Sequence, residues 1–340
     1  MPSVVPDTAR VVVVASSPRG LPIAEDFAVR EEPLPPRASD QLLVRVDVLS
    51  LDPYLRSLLG QGHLDDPALG PGQVMPGRAV ATVLESDDPS LPVGSLVLGE
   101  TGWREHAVLP VALASPVRVP ERVPASATLG LLGMPGLTAY AAHVRHLAPR
   151  PGETVVVSSA TGGVGSLAGQ LAARSGARTV GIVGSREKIA LAHTLGYDQV
   201  VVRTESDWID QLHAACPDKV DAYLHMGDQA TLDGVVEHLA LGARVSLCGL
   251  IDQSNGAPPT RFRAGAVMLA RATVRGLVVH DHADLAAEHA ERVGALLATG
   301  ALGLVEDTWN GLEQAGAAFE ALMSGRNRGK VVVQLHREGE

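Results

Sequence analysis

Two short stretches in the middle of the chain hold the residue types that could grip a dinucleotide. Residues 160–165 read Ala-Thr-Gly-Gly-Val-Gly. Gly162 would let the backbone come close to a pyrophosphate, and Gly165 would let a following helix pack against the preceding strand. Gly163 and Val164 lie in the same turn, where a helix N-terminus offers free N–H groups and the positive end of its dipole. Ala160 occupies the first position of the G-x-G-x-x-G fingerprint, so the match is incomplete. About 20 residues further on, where a chain selecting NAD usually places a carboxylate for the ribose 2′-hydroxyl, stand Gly184, Ser185, Arg186 and Lys188. Glu187 is the nearest carboxylate and does not occupy the tip. Two cations and a hydroxyl suit a 2′-phosphate through charge-assisted hydrogen bonds, so the expected cofactor is NADP(H).

The elements around these residues follow from periodicity. Val155, Val156 and Val157 form an apolar β-branched run of the buried-strand type. Leu167, Leu171 and Ala172 recur at helical spacing, Gly176 ends that helix, and residues 180–183 make a second strand. This is a βαβ unit. Strands are predicted over 154–158, 179–183, 199–202, 220–224, 243–248 and 273–279, with helices over 164–175, 186–195, 205–215 and 229–240. The fold class is therefore α/β, with a doubly wound parallel sheet. A loop at 256–260 and a helix over 283–299 follow.

Before residue 125 the pattern differs. Strands are predicted over 11–15, 42–49, 79–85, 96–98 and 107–109, split by turn-forming stretches such as Pro33-Leu-Pro-Pro-Arg-Ala-Ser-Asp40. This favours a compact, partly closed β domain. Ser126 and Thr128 are N-cap candidates for a helix beginning near residue 125. Residues 330–335 predict a last strand that returns to the first domain, because the nucleotide sheet is already full. The expected division is a β-rich domain over 1–125, a nucleotide-binding domain over 126–300, and a return over 301–340.

Composition narrows the function class. The 340 residues include 28 Lys and Arg against 38 Asp and Glu, a formal net charge of −10, which argues against nucleic acid or an anionic membrane as partner. The two cysteines, Cys216 and Cys248, predict no disulfide framework and allow a reducing compartment. No apolar segment reaches the ~18 residues that span a bilayer. The Val11–Ala15 run is too short for a signal peptide core, so a cytoplasmic location is expected. A structural zinc lobe needs four cysteines, and His63, His106 and His143 lack ligand spacing, so no metal is expected.

Longer motifs sharpen the reading. Ser50-Leu-Asp52-Pro-Tyr54-Leu-Arg56, Leu132-Gly-Met134-Pro-Gly-Leu-Thr138-Ala-Tyr140, Gly184-Ser-Arg-Glu-Lys188, Cys248-Gly249 and Asn327-Arg-Gly-Lys330 together resemble the zinc-independent medium-chain dehydrogenase/reductases, in the prostaglandin/alkenal double-bond reductase branch. The resemblance spans essentially the whole chain. It implies a GroES-like partly closed β-barrel domain plus a Rossmann domain, and a homodimer. Zinc-bearing relatives place a cysteine near the end of the strand before residue 50, where this chain has Ser50. The resemblance also implies reduction of the C=C bond of α,β-unsaturated ketones or aldehydes by NADPH, with hydride delivered to the β-carbon and negative charge moving to the carbonyl oxygen. The cofactor's ribose 2′-hydroxyl is implied as one donor to that oxygen, and Tyr54 as a pocket phenol that donates a hydrogen bond or relays a proton. Lys188 is implied at the 2′-phosphate. Asn327 would reach the cofactor from the returning segment. Met134, Thr138, Cys248, Gly249 and Val279 would line it near the nicotinamide.

The chain departs from this pattern in four places. Arg203 stands where relatives carry a Tyr near the phosphate, and as a cation it could bind phosphate more strongly. His225-Met-Gly-Asp228 replaces a D-N-V-G stretch and removes an amide expected near the nicotinamide. Val278-Val279-His280-Asp281-His282 lacks a Tyr that often follows the V-V pair. An imidazole can donate a proton near neutral pH, which makes His280 a second catalytic candidate. Arg78 replaces an aromatic and points to a more polar or acidic substrate. A quinone reductase of the same superfamily and an NADPH-binding protein without catalysis are the alternative readings.

Overall fold

The computed structural model describes residues 6–60 and 62–336. Among these residues the chain divides into two compact units. One takes in the chain up to Val119, Pro124–Leu129 and everything from Glu306 on; the other takes in Pro120–Val123 and Gly130–Val305.

In the first unit, β1 (Thr8–Val14) pairs antiparallel with β2 (Phe27–Pro33). No strand was expected at β2, whose Arg30-Glu31-Glu32 looks like solvated loop. As half of a two-stranded ribbon it keeps these charges outward, the usual protection of an open edge. β3 (Gln41–Ser50) is buried along most of its length, because it lies between neighbours. The one-turn helix α1 (Leu55–Leu58) follows. β4 (Arg78–Glu85), β5 (Leu96–Glu100), β6 (His106–Pro110) and the short β7 (Ser115–Pro116) complete the N-terminal part. Residues 124–129 hold a 3-10 turn rather than the start of a long helix. There Ser126 Oγ donates to Glu306 Oε2 at 3.0 Å and Thr128 Oγ1 donates to the Ala125 carbonyl at 2.7 Å, so neither caps a helix.

In the second unit, α2 (Met134–Ala141) begins after Gly133, with Pro135 in its first turn where a missing N–H costs nothing. It runs on into a π turn over Ala142–Leu147. Then β8 (Thr154–Ser158), α3 (Gly165–Arg174), β9 (Arg178–Val183), α4 (Ile189–Thr194), β10 (Gln199–Val202), α5 (Trp208–Ala215), β11 (Val220–His225), α6 (Gln229–Val236) and β12 (Leu239–Leu247) alternate. α7 (Ile251–Ser254), α8 (Ala264–Ala270), β13 (Thr273–Gly276) and α9 (Ala286–Ala298) close the unit. The six strands form one parallel sheet in the order β10-β9-β8-β11-β12-β13, the doubly wound arrangement expected. β13 stops three residues short of the predicted end, where a 3-10 turn over Val279–Leu285 takes over.

The chain then supplies β14 (Glu306–Asn310), α10 (Ala315–Met323) and β15 (Lys330–Gln334) to the first unit. β14 was not expected, since Glu-Asp-Thr-Trp-Asn reads as polar. It sits at one end of the seven-stranded order β14-β15-β3-β4-β5-β7, with β6 also pairing β3. β15 pairs antiparallel with β3, Val332 opposite Ser50 and Val333 opposite Leu49. This brings the last strand beside the segment that carries Tyr54. Phe27, Trp103 and Phe319 cluster in this unit, with ring centroids 5.5–5.8 Å apart.

Candidate active site

The glycine turn sits where β8 ends. All five residues of β8 are buried. The next residue, Ser159, has φ of +51°, an uncommon conformation for a residue with a side chain, and strain of this sort clusters at functional turns. Its hydroxyl donates to the Met226 carbonyl at 3.3 Å. Gly162 N–H closes the turn onto the Ser159 carbonyl at 2.9 Å. A Cβ on Gly165 would run into that same carbonyl oxygen, so only glycine fits there. Among the described residues, the N–H groups of Gly163, Val164 and Gly165 have no protein acceptor, while Ser166 N–H returns to Gly162. Three unclaimed donors at the start of the ten-residue α3 are an arrangement that suits an anion.

The incomplete fingerprint also has a physical explanation. Ala160 is fully buried, and its methyl group faces Gly181 of β9, where an added Cβ would lie 2.9 Å away. The missing glycine in the turn is thus compensated by a glycine on the neighbouring strand. Tyr197 packs against the same place and donates its phenol to the Gly165 carbonyl at 2.7 Å. Gly169, one turn into α3, leaves room for that ring.

The expected 2′-phosphate residues gather at the ends of β9 and β10. Val202 is paired with Val183, which puts Arg203 beside Gly184. Arg203 N–H donates to the Val183 carbonyl at 3.0 Å and Thr204 Oγ1 to the Gly184 carbonyl at 3.2 Å. Ser185 is extended and caps the turn over Arg186–Lys188 only through its backbone. The two arginines are paired with carboxylates: Arg186 with Glu205, and Arg203 Nη1 with Asp228 Oδ2 at 2.6 Å. Arg186 is 78% exposed and Arg203 41%, whereas Lys188 is buried. Asp228 also caps α6, accepting from Thr231 N–H at 2.8 Å. Burial pushes its carboxyl up, but Thr231, Arg203 and His225 outweigh this and hold it below the usual carboxylate range.

The carboxyl ends of β8, β11 and β12 meet at the point where the strand order reverses, the usual ligand position in such sheets. Met226 N–H donates to Ser158 Oγ at 2.6 Å, and Cys248 N–H to the His225 carbonyl at 3.1 Å. Gly249 stands over Met226, 3.6 Å from it by an added Cβ. Burial pushes the Cys248 thiol up to about 12, so it is not a thiolate nucleophile. His225 is fully buried. Its Nδ1 lies 2.7 Å from the Tyr223 phenol, its Nε2 has no partner among the described residues, and burial lowers it to about 4. α2 packs against the 279–285 turn, which brings Met134 and Thr138 together with the segment carrying Val279 and His280. Thr138 donates its hydroxyl to the Met134 carbonyl at 2.8 Å. His280 is exposed on this turn.

In the first unit, Tyr54 heads α1 in a half-buried position. Its ring lies 5.1 Å from that of His63, whose Nδ1 is 3.0 Å from Ser57 Oγ; that hydroxyl donates to the Tyr54 carbonyl at 2.5 Å. Burial first, then the charges of Glu100 and Asp52, raise the phenol well above its ordinary value despite Arg78, so it stays protonated. Arg78 itself is tied to Glu100 at 2.8 Å. Asn327 is buried and donates its amide to the Gly329 carbonyl at 2.8 Å. Beside it lies a feature not expected from the sequence: Lys330 is buried with Asp52, Nζ to Oδ1 at 2.6 Å. The co-occurrence of Asp52 and Lys330 in two separate motifs was the available signal. Among the described residues, no group of three or more His, Cys, Asp or Glu side chains is placed to hold a metal ion. No helix of the described residues is long and apolar enough to cross a membrane.

Comparison with known proteins fits this arrangement. Residues 10–117 match a family model described as the N-terminal domain of oxidoreductase, and residues 163–293 one described as zinc-binding dehydrogenase. The chain is 35% identical to the 2-alkenal reductase (NADP(+)-dependent) of Nicotiana tabacum, over 96% of this chain and 97% of that protein. It is 33% identical to the NADPH-dependent curcumin reductase of Escherichia coli, over 95% of this chain and 96% of that protein. The crystal structure of CurA in complex with NADPH from Vibrio vulnificus superposes with a TM-score of 0.90 at 35% identity, covering 97% of this chain and all of that one.

Proposed function

Because the chain belongs to the zinc-independent medium-chain dehydrogenase/reductases, in their prostaglandin/alkenal double-bond reductase branch, we propose that it reduces the C=C bond of α,β-unsaturated ketones or aldehydes with NADPH. The observation that carries this reading is the pairing, within the second unit, of an open glycine cradle with a buried lysine beyond β9. These residues fit a phosphorylated dinucleotide. Gly162, Gly163, Val164 and Gly165 would hold the pyrophosphate. Ser185, Lys188, Arg186 and Arg203 would hold the 2′-phosphate, the two exposed arginines exchanging a half-buried carboxylate for it. Met134, Thr138, Cys248, Gly249 and Val279 would flank the nicotinamide, and Asn327 is a further cofactor-contact candidate, as its branch implies.

NADPH, when bound, supplies the hydride that adds to the β-carbon, without a metal. Tyr54 then does what a protonated phenol can do, donating a hydrogen bond to the carbonyl oxygen as charge moves onto it. His280, exposed on its turn, is the candidate for protonating the α-carbon. The first unit is the substrate side and the second the NADP-binding side. We further propose a cytoplasmic location, which a chain of two free cysteines and no disulfide allows, and a homodimer, as its branch implies.

Incubation with NADPH and a panel of enones, quinones and alcohols tests this reading. Loss of reduced-nicotinamide absorbance with the enones supports it. Turnover of quinones alone, or none with tight NADPH binding, replaces it with a quinone reductase or a non-catalytic binder. His280→Phe is expected to slow enone turnover by at least about tenfold; an unchanged rate removes that role.

A further inference from the structure

Lys330 and Asp52 come from segments 278 residues apart, yet form a buried ion pair at 2.6 Å. The lysine is 3% exposed and the aspartate 7%. Lys330 Nζ also donates to the Leu51 carbonyl at 2.7 Å, and Ser50 Oγ donates to the other Asp52 oxygen at 2.5 Å. Three consecutive residues, 50 to 52, are therefore fixed from one side by a single ammonium and its neighbours. On the opposite side, the Asp52 carbonyl accepts Leu55 N–H at 3.1 Å and opens the turn that carries Tyr54. Pro53, with its fixed φ, is the only residue between the anchored carboxylate and the tyrosine. Removing either partner of a buried pair leaves the other charge uncompensated, so the pair holds one geometry firmly.

We infer that Lys330 is a positioning residue: through Asp52 and the Leu51 carbonyl it sets where the Tyr54 phenol stands, and so acts on turnover without touching the substrate. This rests on the catalytic role proposed for Tyr54. It explains why the returning strand β15 begins with a lysine in the same chain that has Asp-Pro-Tyr after β3. A lysine that merely stabilised the fold would have no reason to discriminate between kcat and cofactor binding, or between backgrounds with and without the phenol.

The experiment compares Lys330→Met and the neutral double variant Lys330→Gln/Asp52→Asn, each alone and combined with Tyr54→Phe. NADPH affinity is read by fluorescence, and kcat and KM on an enone substrate. The expected result has four parts. Lys330→Met lowers kcat by at least about tenfold, and its NADPH Kd changes by less than about twofold. The double variant, which keeps hydrogen-bonding groups at both positions, recovers most of the lost kcat. In the Tyr54→Phe background, Lys330→Met costs less than about twofold more, because its effect runs through the missing phenol. Should Lys330→Met not fold, the double variant carries the test: kcat near wild type in it, falling on addition of Tyr54→Phe to the level of Tyr54→Phe alone, is the supporting outcome, and a loss in it that multiplies with that of Tyr54→Phe overturns the inference. The inference is overturned if Lys330→Met turns over at the wild-type rate while Tyr54→Phe is slow, or if the two losses multiply independently. If Tyr54→Phe itself turns over normally, the role of the tyrosine falls, and a clamp acting through it falls with it.

Discussion

In the first unit Lys330 is buried against the carboxylate of Asp52, whereas in the second the pairs at the ends of β9 and β10 reach solvent through their arginines. Lys330 and Asp52 are almost wholly out of water, with every short contact made to the chain around them. Arg186–Glu205 and Arg203–Asp228 lie at the ends of β9 and β10, the arginines well exposed. The chemistry of the pairs is the same and the surroundings are opposite. A buried pair cannot be exchanged for another anion without leaving a charge stranded in a low dielectric. A pair whose arginine stands in solvent is worth far less than a buried one, roughly 1 kcal/mol, so an incoming phosphate can take the arginine from its half-buried carboxylate at modest cost. The buried pair therefore suits a fixed catalytic segment, and the exposed pairs suit a site whose ligand comes and goes.

The contrast gives measurable expectations. The largest effect belongs to the buried pair: Lys330→Met should destabilise the protein by about 3–5 kcal/mol in urea unfolding, while Glu205→Gln should stay within about 1 kcal/mol of the parent. A similar loss from both would erase the distinction. A second buried group sharpens it. His225 is neutral in the fold, lowered to about 4 by burial, whereas an unfolded chain protonates it below about 6.5. Because the unfolded state then binds the extra proton, its stabilisation is complete above pH ~6.5 and fades as the pH falls toward 4, by roughly 3 kcal/mol in all. His146, also lowered to about 4 by burial, adds to the same slope. Thermal melts of the parent and His225→Phe between pH 7.5 and 4.5 should diverge, with the parent losing more on acidification.

At the ligand end, Lys188→Met should weaken NADPH binding by about 10–100-fold, the range for one charge-assisted hydrogen bond, and leave NADH binding nearly unchanged. Calorimetric titration of both cofactors reads this directly, and equal losses would move Lys188 away from the 2′-phosphate. The smallest effect is expected for Asp228→Asn. Asparagine still caps α6, so stability should hold within about 1 kcal/mol, and the released Arg203 should tighten NADPH a few-fold at low salt.

The nucleotide half was legible in the sequence because its elements are strongly periodic. Val155–Val157 and the glycines after them could not be read as much else, and all six strands were found, though β12 starts at Leu239, inside the helix expected over 229–240, and β13 ends at Gly276. The parts that escaped are those fixed by long-range partners. β14 is polar and becomes a strand only because β15 lies beside it. β2 hides in a charged stretch that pairs with β1. Ser126 and Thr128 have the composition of helix caps, but Gly130 and Gly133 keep the helix from starting until Met134. At the candidate site, Tyr54, Lys188 and Asn327 were identifiable from motifs. The pairing of Lys330 with Asp52, of Ala160 with Gly181 and of Arg203 with Asp228 was not, since each joins segments that no local pattern connects.

Transfer of a label tests the central claim most directly. NADPH carrying deuterium at the transferable position of nicotinamide C4 is incubated with the protein and an enone, and the product is read by NMR. Deuterium on the carbon β to an intact carbonyl is the predicted result. Deuterium on the carbonyl carbon, or no transfer while NADPH remains bound, would contradict it.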